Sequence, residues 1–224
     1  MFRRDVENWY KFSFDGIGKY GVPALDPEQI NTEQFIPFNY AKGCNNPDKK
    51  GVHFFLHDYQ FRRLWDMPER YMLLLQRFDC VCTPDYSLYT DMPKAMQIYH
   101  HYKKQWMGAY WQACGLTVIP TVSWSDDESF TWCFDGLPQG GAVAVSSVGC
   151  LRDNNSQGRF MKGYNVMLDK LRPAQILFYG SVPDSIAGTV IQIGSFQNRF
   201  RQRKEGETWA EGGAAAGKGA HPAV

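Results

Sequence analysis

The sequence predicts an α/β fold with mostly parallel strands, and three observations carry that reading. Four apolar runs, Asp79-Cys-Val-Cys-Thr83, Leu116-Thr-Val-Ile-Pro-Thr-Val-Ser-Trp124, Ala142-Val-Ala-Val-Ser-Ser147 and Gln175-Ile-Leu-Phe-Tyr179, alternate with segments of helical periodicity. Such alternation implies right-handed crossovers between parallel neighbours. The chain has 224 residues, 44% of them hydrophobic, which suits one domain with a substantial core. Polar residues also gather where the strands end, the place where parallel α/β folds carry their chemistry. Counted from His53, five βα units fit a (β/α) barrel-like fold or a reduced barrel, whose lower size limit the chain approaches. An open doubly wound sheet is the alternative.

In chain order, residues 1–50 read as an irregular N-terminal segment packing on the domain. Trp9-Tyr-Lys-Phe-Ser-Phe14 is a short strand or an aromatic clamp, and Ile36-Pro-Phe-Asn-Tyr40 is a candidate short strand. Asp26 followed by Pro27 reads as a helix start. The core domain spans 51–194 and opens with the strand Val52-His-Phe-Phe-Leu-His-Asp58. A helix follows from Phe61 to Phe78, with Leu64, Met67, Tyr71, Leu74, Leu75 and Phe78 on one face. After the Cys80 strand, Pro93 opens a helix that runs to Cys114 and stops at Gly115, its inner side drawn from Met96, Tyr99, Met107, Tyr110, Trp111 and Cys114. Ser125 or Asp126 caps a short helix through Asp135, and a further helix runs from Arg159 to Leu171, stopped by Pro173. Gly188-Thr-Val-Ile-Gln-Ile-Gly194 is an edge or closing strand. Residues 195–224 are basic at first and then Gly/Ala-rich, a composition expected to stay disordered because it buries too little to offset its ordering entropy.

Composition narrows the function classes. Lys plus Arg number 24 against 23 Asp plus Glu, so net charge gives no global push toward nucleic acid or anionic membranes. The polar start Met1-Phe-Arg-Arg-Asp5 is unlike a signal peptide, and no apolar run reaches the about 18 residues of a membrane span. The six cysteines lie in predicted strands and helices rather than in a loop framework, which points to reduced thiols in a cytosolic protein. The GxGxxG spacing of Gly16-Ile-Gly-Lys-Tyr-Gly21 lies in the irregular N-terminal segment, outside the predicted βα units, and GxxxxGK[ST] does not occur, so no nucleotide cofactor is implied.

The strongest constellation is at the predicted strand ends: His57 and Asp58, Asp85, Ser123 and Asp126, Ser146 and Ser147, then Tyr179 and Ser181. In a parallel fold these ends converge on one face, so residues distant in sequence share a pocket. Asp58 or Asp85 is expected as nucleophile or general base, with His57 shuttling a proton and Ser123 assisting. The competing explanation is that strand ends carry Asp and Ser because helix N-caps need them. Cys80 and Cys82 share one face of a strand, but buried thiols behave mostly as small hydrophobes, and no metal is expected. His100 and His101 point about 100° apart on a helix and read as ordinary surface or boundary histidines. Arg199, Arg201, Arg203 and Lys204, with Phe200 interleaved, are the candidate nucleic-acid contacts, binding phosphates by charge neutralisation.

Four motifs carry a family resemblance: Phe78-Asp-Cys-Val-Cys-Thr-Pro-Asp-Tyr-Ser87, Pro120-Thr-Val-Ser-Trp124, Ser146-Ser-Val-Gly-Cys150 and Phe178-Tyr-Gly-Ser181. Together they resemble the family of phages and bacterial mobile elements known as domain of unknown function 4417, over roughly residues 30–185. The resemblance implies a bacterial or phage origin and the cytoplasm of a bacterial host cell; it brings no activity with it. More loosely, an Asp at an early strand end and Val-Gly at a later one look like the base-exchange transglycosylase barrels that modify nucleic acid. The leading expectation is an enzyme acting on nucleic acid or a nucleoside-type substrate from the strand-end pocket. The alternative is a non-catalytic module that binds nucleic acid or a protein.

Overall fold

The computed structural model describes residues 6–193. An antiparallel hairpin, β1 (Gly16–Ile17) with β2 (Val22–Pro23), precedes the main sheet. Then β3 (Phe35–Pro37), β4 (Gly51–His53), β5 (Cys80–Cys82) and β6 (Val118–Ile119) pair in parallel and in chain order. A second parallel sheet follows the same rule with β7 (Ala142–Ser146), β8 (Gln175–Tyr179) and β9 (Val190–Ile193). A parallel bridge between Thr121 and Ala144 joins the two, with Val122 N donating to Ala144 O and Ala144 N donating to Pro120 O. The protein is an α/β fold whose main strands are all parallel. Strand order never reverses, whereas a doubly wound sheet needs a reversal point.

Side chains alternate across a strand, so each face has its own partners. On one face Phe35, Cys80, Cys82, Ile119, Ala142, Ala144, Leu177, Tyr179 and Ile193 gather with Ile30 and Phe55 in a single apolar cluster that contains no helical residue. Gly51 is needed in that layer, because a Cβ there would come within 2.2 Å of the Phe35 ring and 2.9 Å of Cys80 Sγ. The opposite face carries the helices. Val52, Val81 and Val118 pack with Leu64, Trp106 and Trp111, while Val143, Val145, Ile176 and Phe178 pack with Phe160, Tyr164 and Met167. Among the described residues no ladder joins β9 to β3, so a hydrogen-bonded barrel closure is not formed. A side chain makes a tie instead: Gln175 accepts from Ile30 N at 2.8 Å and donates to Ile30 O at 3.1 Å.

The helices depart from expectation in instructive places. The single helix expected over 61–78 is broken into α1 (Arg62–Asp66), a 3-10 turn at Pro68–Tyr71 and α2 (Met72–Leu75). Pro68 is the reason, since it lacks an N–H and its ring crowds the preceding turn. The long helix α3 (Lys94–Ala113) stops, as predicted, before Gly115 at φ 84°. Its expected inner side is only half right: Met96 and Tyr99 are exposed, and Gln97, His101, Lys104 and Gln105 are buried beside Met107 and Trp111. Helix α4 (Asn154–Leu171) begins earlier than expected, because Asp153 caps it by accepting from Asn155 N and Ser156 N. The helix expected at Asp26 does not form. That stretch lies against the second sheet, where Glu28 O accepts from Ala142 N at 2.7 Å.

Candidate functional site

The site is built where β5 and β6 end. Thr83 Oγ1 accepts from Thr121 N at 2.8 Å, and Thr121 Oγ1 donates to Thr83 O at 2.6 Å. This reciprocal pair locks the two strand ends together, with Asp85 two residues beyond one and Ser123 two residues beyond the other. Helix α3 comes very close to them: a Cβ on Gly108 would sit 2.8 Å from Thr83 Cγ2. One turn before Gly108, Lys104 enters the same space and donates from Nζ to Ser123 Oγ at 2.8 Å. Lys104 is 1% exposed. A fully buried lysine is rare unless something in the site requires it.

Charge in this enclosure is balanced without direct pairing. Asp85 keeps some solvent exposure, but protein surrounds its carboxyl. Burial pushes its pKa up to about 6, with Asp58 adding to the rise and Lys104 opposing it. Burial pulls Lys104 down to about 8, against the attraction of Asp85 and Cys133. Each therefore sits near neutrality rather than at its ordinary extreme. Among the described residues, no hydrogen bond or ion pair engages the Asp85 carboxylate.

Asp58 joins from the strand before. It accepts from Ser87 Oγ at 2.9 Å and Ser87 N at 3.3 Å, and it caps no helix. The carbonyl of Ser87 lies 2.8 Å from His100 Nδ1, so that nitrogen carries the proton and Nε2 presents its lone pair. Burial holds the His100 pKa below its ordinary value. The neighbouring His101 faces the other way, deep between α3 and Asp135 O at 3.0 Å, where burial drops it to about 3.

Of the predicted site residues, the structure thus brings Asp85 and Ser123 to Lys104, with Asp58 close enough to Asp85 to act on its charge. His57 is exposed and stacks on Tyr59 at 6.0 Å. Several other strand-end polar groups serve local architecture. Asp126 caps a 3-10 turn by accepting from Ser129 N, Ser146 Oγ accepts from Val148 N, and Ser147 donates to Ser181 O. Tyr179 stacks on Phe55 at 4.7 Å inside the sheet. Burial drives the Cys80 and Cys82 thiols far above their ordinary range, which keeps them protonated. Among the described residues no group of three or more His, Cys, Asp or Glu is placed to hold a metal ion. Arg199, Arg201, Arg203 and Lys204 lie outside the described residues. A shallow depression of about 380 Å³ lined by Asp135, Gln139, Lys170 and Arg172 lies at the opposite, amino-terminal ends of β7 and β8 and holds none of the cluster.

Lys104 and His100 are the residues that the sequence reading missed. A lysine inside a helix normally reads as solvated surface. The available signal was the spacing Gln97, His101, Lys104, Gly108, Trp111, a three-to-four repeat that places polar side chains in line with the core.

Fold and cluster together define a parallel α/β protein with titratable groups enclosed at the carboxyl ends of its strands. The chain belongs to the family described as domain of unknown function 4417, whose profile matches residues 14–197. It is 37% identical over 180 residues to Gene 1 protein of Mycobacterium phage L5, covering 80% of this chain and 78% of that protein. It is 34% identical over 212 residues to Gene 1 protein of Mycobacterium phage D29, covering 92% of this chain and 78% of that one. No solved structure matches the chain. Among the described residues no helix is long and apolar enough to cross a membrane.

Proposed function

We propose that the strand-end cluster is the active site of an enzyme doing acid/base or nucleophilic work on nucleic acid or a nucleoside-type substrate. The observation that carries this reading is Asp85, a carboxylate enclosed by protein, engaged by no described residue, and set beside buried Lys104. Unengaged carboxylates in enclosures cost stability, and sites that do proton transfer are where that cost is usually met. Two titratable groups moved to about 6 and about 8 bracket neutral pH and supply an acid and a base. Asp58 adds a second carboxylate, held by Ser87, and Ser123 orients the lysine. The exposed rings of Tyr59 and Tyr89, flanking the Asp58–Ser87 contact, offer stacking surfaces for a base. The basic run from Arg199 to Lys204 would add phosphate contacts in this reading.

The test is turnover of nucleosides, nucleotides and short single-stranded oligonucleotides by the full chain, followed by chromatography. Asp85→Asn is expected to lower the rate by about 100-fold or more. The rate should trace a bell, rising near pH 6 and falling near pH 8. A non-catalytic binder would instead show salt-sensitive nucleic-acid binding without turnover, unchanged by Asp58→Asn/Asp85→Asn and lost when Arg199 to Lys204 are neutralised. That result would overturn the enzyme reading.

A further inference from the structure

We infer that Lys104 is an amine nucleophile that condenses with the aldehyde or ketone carbon of the substrate, a ring-opened sugar carbonyl if the substrate is nucleoside-like. The inference rests on the strand-end cluster being the active site, and deepens it by naming the functional group attacked. Its basis is the way Lys104 is held. Among the described residues Nζ makes one hydrogen bond, to Ser123 Oγ at 2.8 Å, although an ammonium carries three donors. Among the described residues it forms no ion pair within 4.0 Å, so it is not an ordinary buried salt bridge. A buried ammonium held by so few partners is poorly compensated, whereas a neutral amine is tolerated there. The groups around it are Asp85, Ser123, Cys133 and His101; burial favours the amine, and Asp85 and Cys133 oppose it. Ser123, its hydrogen-bond partner, is partly exposed, whereas Lys104 itself is buried.

The step balances with the residues present. The neutral Nζ adds to the carbonyl carbon to give a carbinolamine. The protonated Asp85 carboxyl then gives its proton to the departing hydroxyl. Water leaves, the carbon–oxygen bond breaks, and a protonated imine remains beside the Asp85 carboxylate. One amine, one carbonyl and one carboxylic acid become one iminium, one water and one carboxylate, with no net change in charge. Such covalent capture is what a desolvated lysine in an enclosed site does best.

The test is reductive trapping on the full chain. Protein is incubated at pH 7 with 2-deoxyribose or with propanal and sodium cyanoborohydride, then mapped by peptide mass. Lys104 should be labelled at least ten-fold faster than the exposed Lys19 and Lys42, and Asp85→Asn should slow that labelling ten-fold or more. Lys104→Arg should remove the label at that position only. If Lys104 labels no faster than Lys19 and Lys42 in the unaltered protein, the inference is wrong, whatever the variants do. Turnover lost in Asp85→Asn with no Lys104 adduct would leave the active-site reading standing and sink the imine. Fast Lys104 capture with no turnover of any nucleoside or oligonucleotide would support the imine and sink the nucleoside-type substrate.

Discussion

Asp85 and Lys104 are held away from their ordinary protonation in opposite directions by the same enclosure. Stability must therefore follow pH in a recognisable way. Between the ordinary Asp value of 3.8 and the folded value of about 6, the folded state holds more protons than the unfolded chain at Asp85. Stability from this group consequently falls as pH rises through that window. Between about 8 and the ordinary Lys value of 10.5, the unfolded chain holds more protons at Lys104, so stability rises with pH there. The trough in these two contributions spans pH 6 to 8, where both charges are present and both are poorly compensated. Urea midpoints at pH 5, 7 and 9.5 should show the Asp85→Asn/Lys104→Met variant gaining most over the unaltered protein at pH 7. A constant difference at all three values would mean that the enclosure does not shift these groups.

At the scale of elements, what could be read in the sequence depended on whether one residue dominated locally. Gly115 ended α3 where expected, because its backbone at φ 84° suits glycine and few others. Asp126 was legible as a cap for the same local reason. Pro68 should have broken the helix over 61–78, yet the spacing of Leu64, Tyr71, Leu74 and Leu75 masked it, since two short helices can bury the same face as one long helix. Asp153 lay in a stretch so polar that it read as loop, although its carboxylate starts α4. Removing that cap by Asp153→Ala should lower stability by about 1 kcal/mol, measured by urea unfolding at pH 7. No loss would mean that tertiary packing alone sets where α4 begins. The candidate site was partly legible: that Asp58, Asp85 and Ser123 lie just beyond strand ends follows from the strand-end rule. Lys104 did not, because its meaning depends on which side of α3 faces β6, and no local pattern names that side.

For the molecule as a whole, parallel winding was readable from the alternation of strands and helices, and the candidate strand at Ile36–Tyr40 overlaps β3, but its place in the sheet was not readable. β3 holds only three residues, and its pairing with β4 is a tertiary fact. The inner layer makes a stability prediction independent of function. Leu177 is fully buried there among side chains from both sheets. Leu177→Ala should cost about 2–5 kcal/mol in urea unfolding. A loss below about 1 kcal/mol would show that the cluster relaxes around the gap and is not a single packed layer.

The tie between Gln175 and Ile30 has a consequence for assembly. Every parallel strand leans on the one synthesised just before it, so a nascent chain can add each unit to a finished edge without waiting for distant sequence. The segment before β3 differs: the peptide groups of Ile30 wait for a carboxamide 145 positions later. Until that residue emerges, the Ile30 peptide groups lack both of these hydrogen bonds. A unit made late thus helps to secure a segment made early.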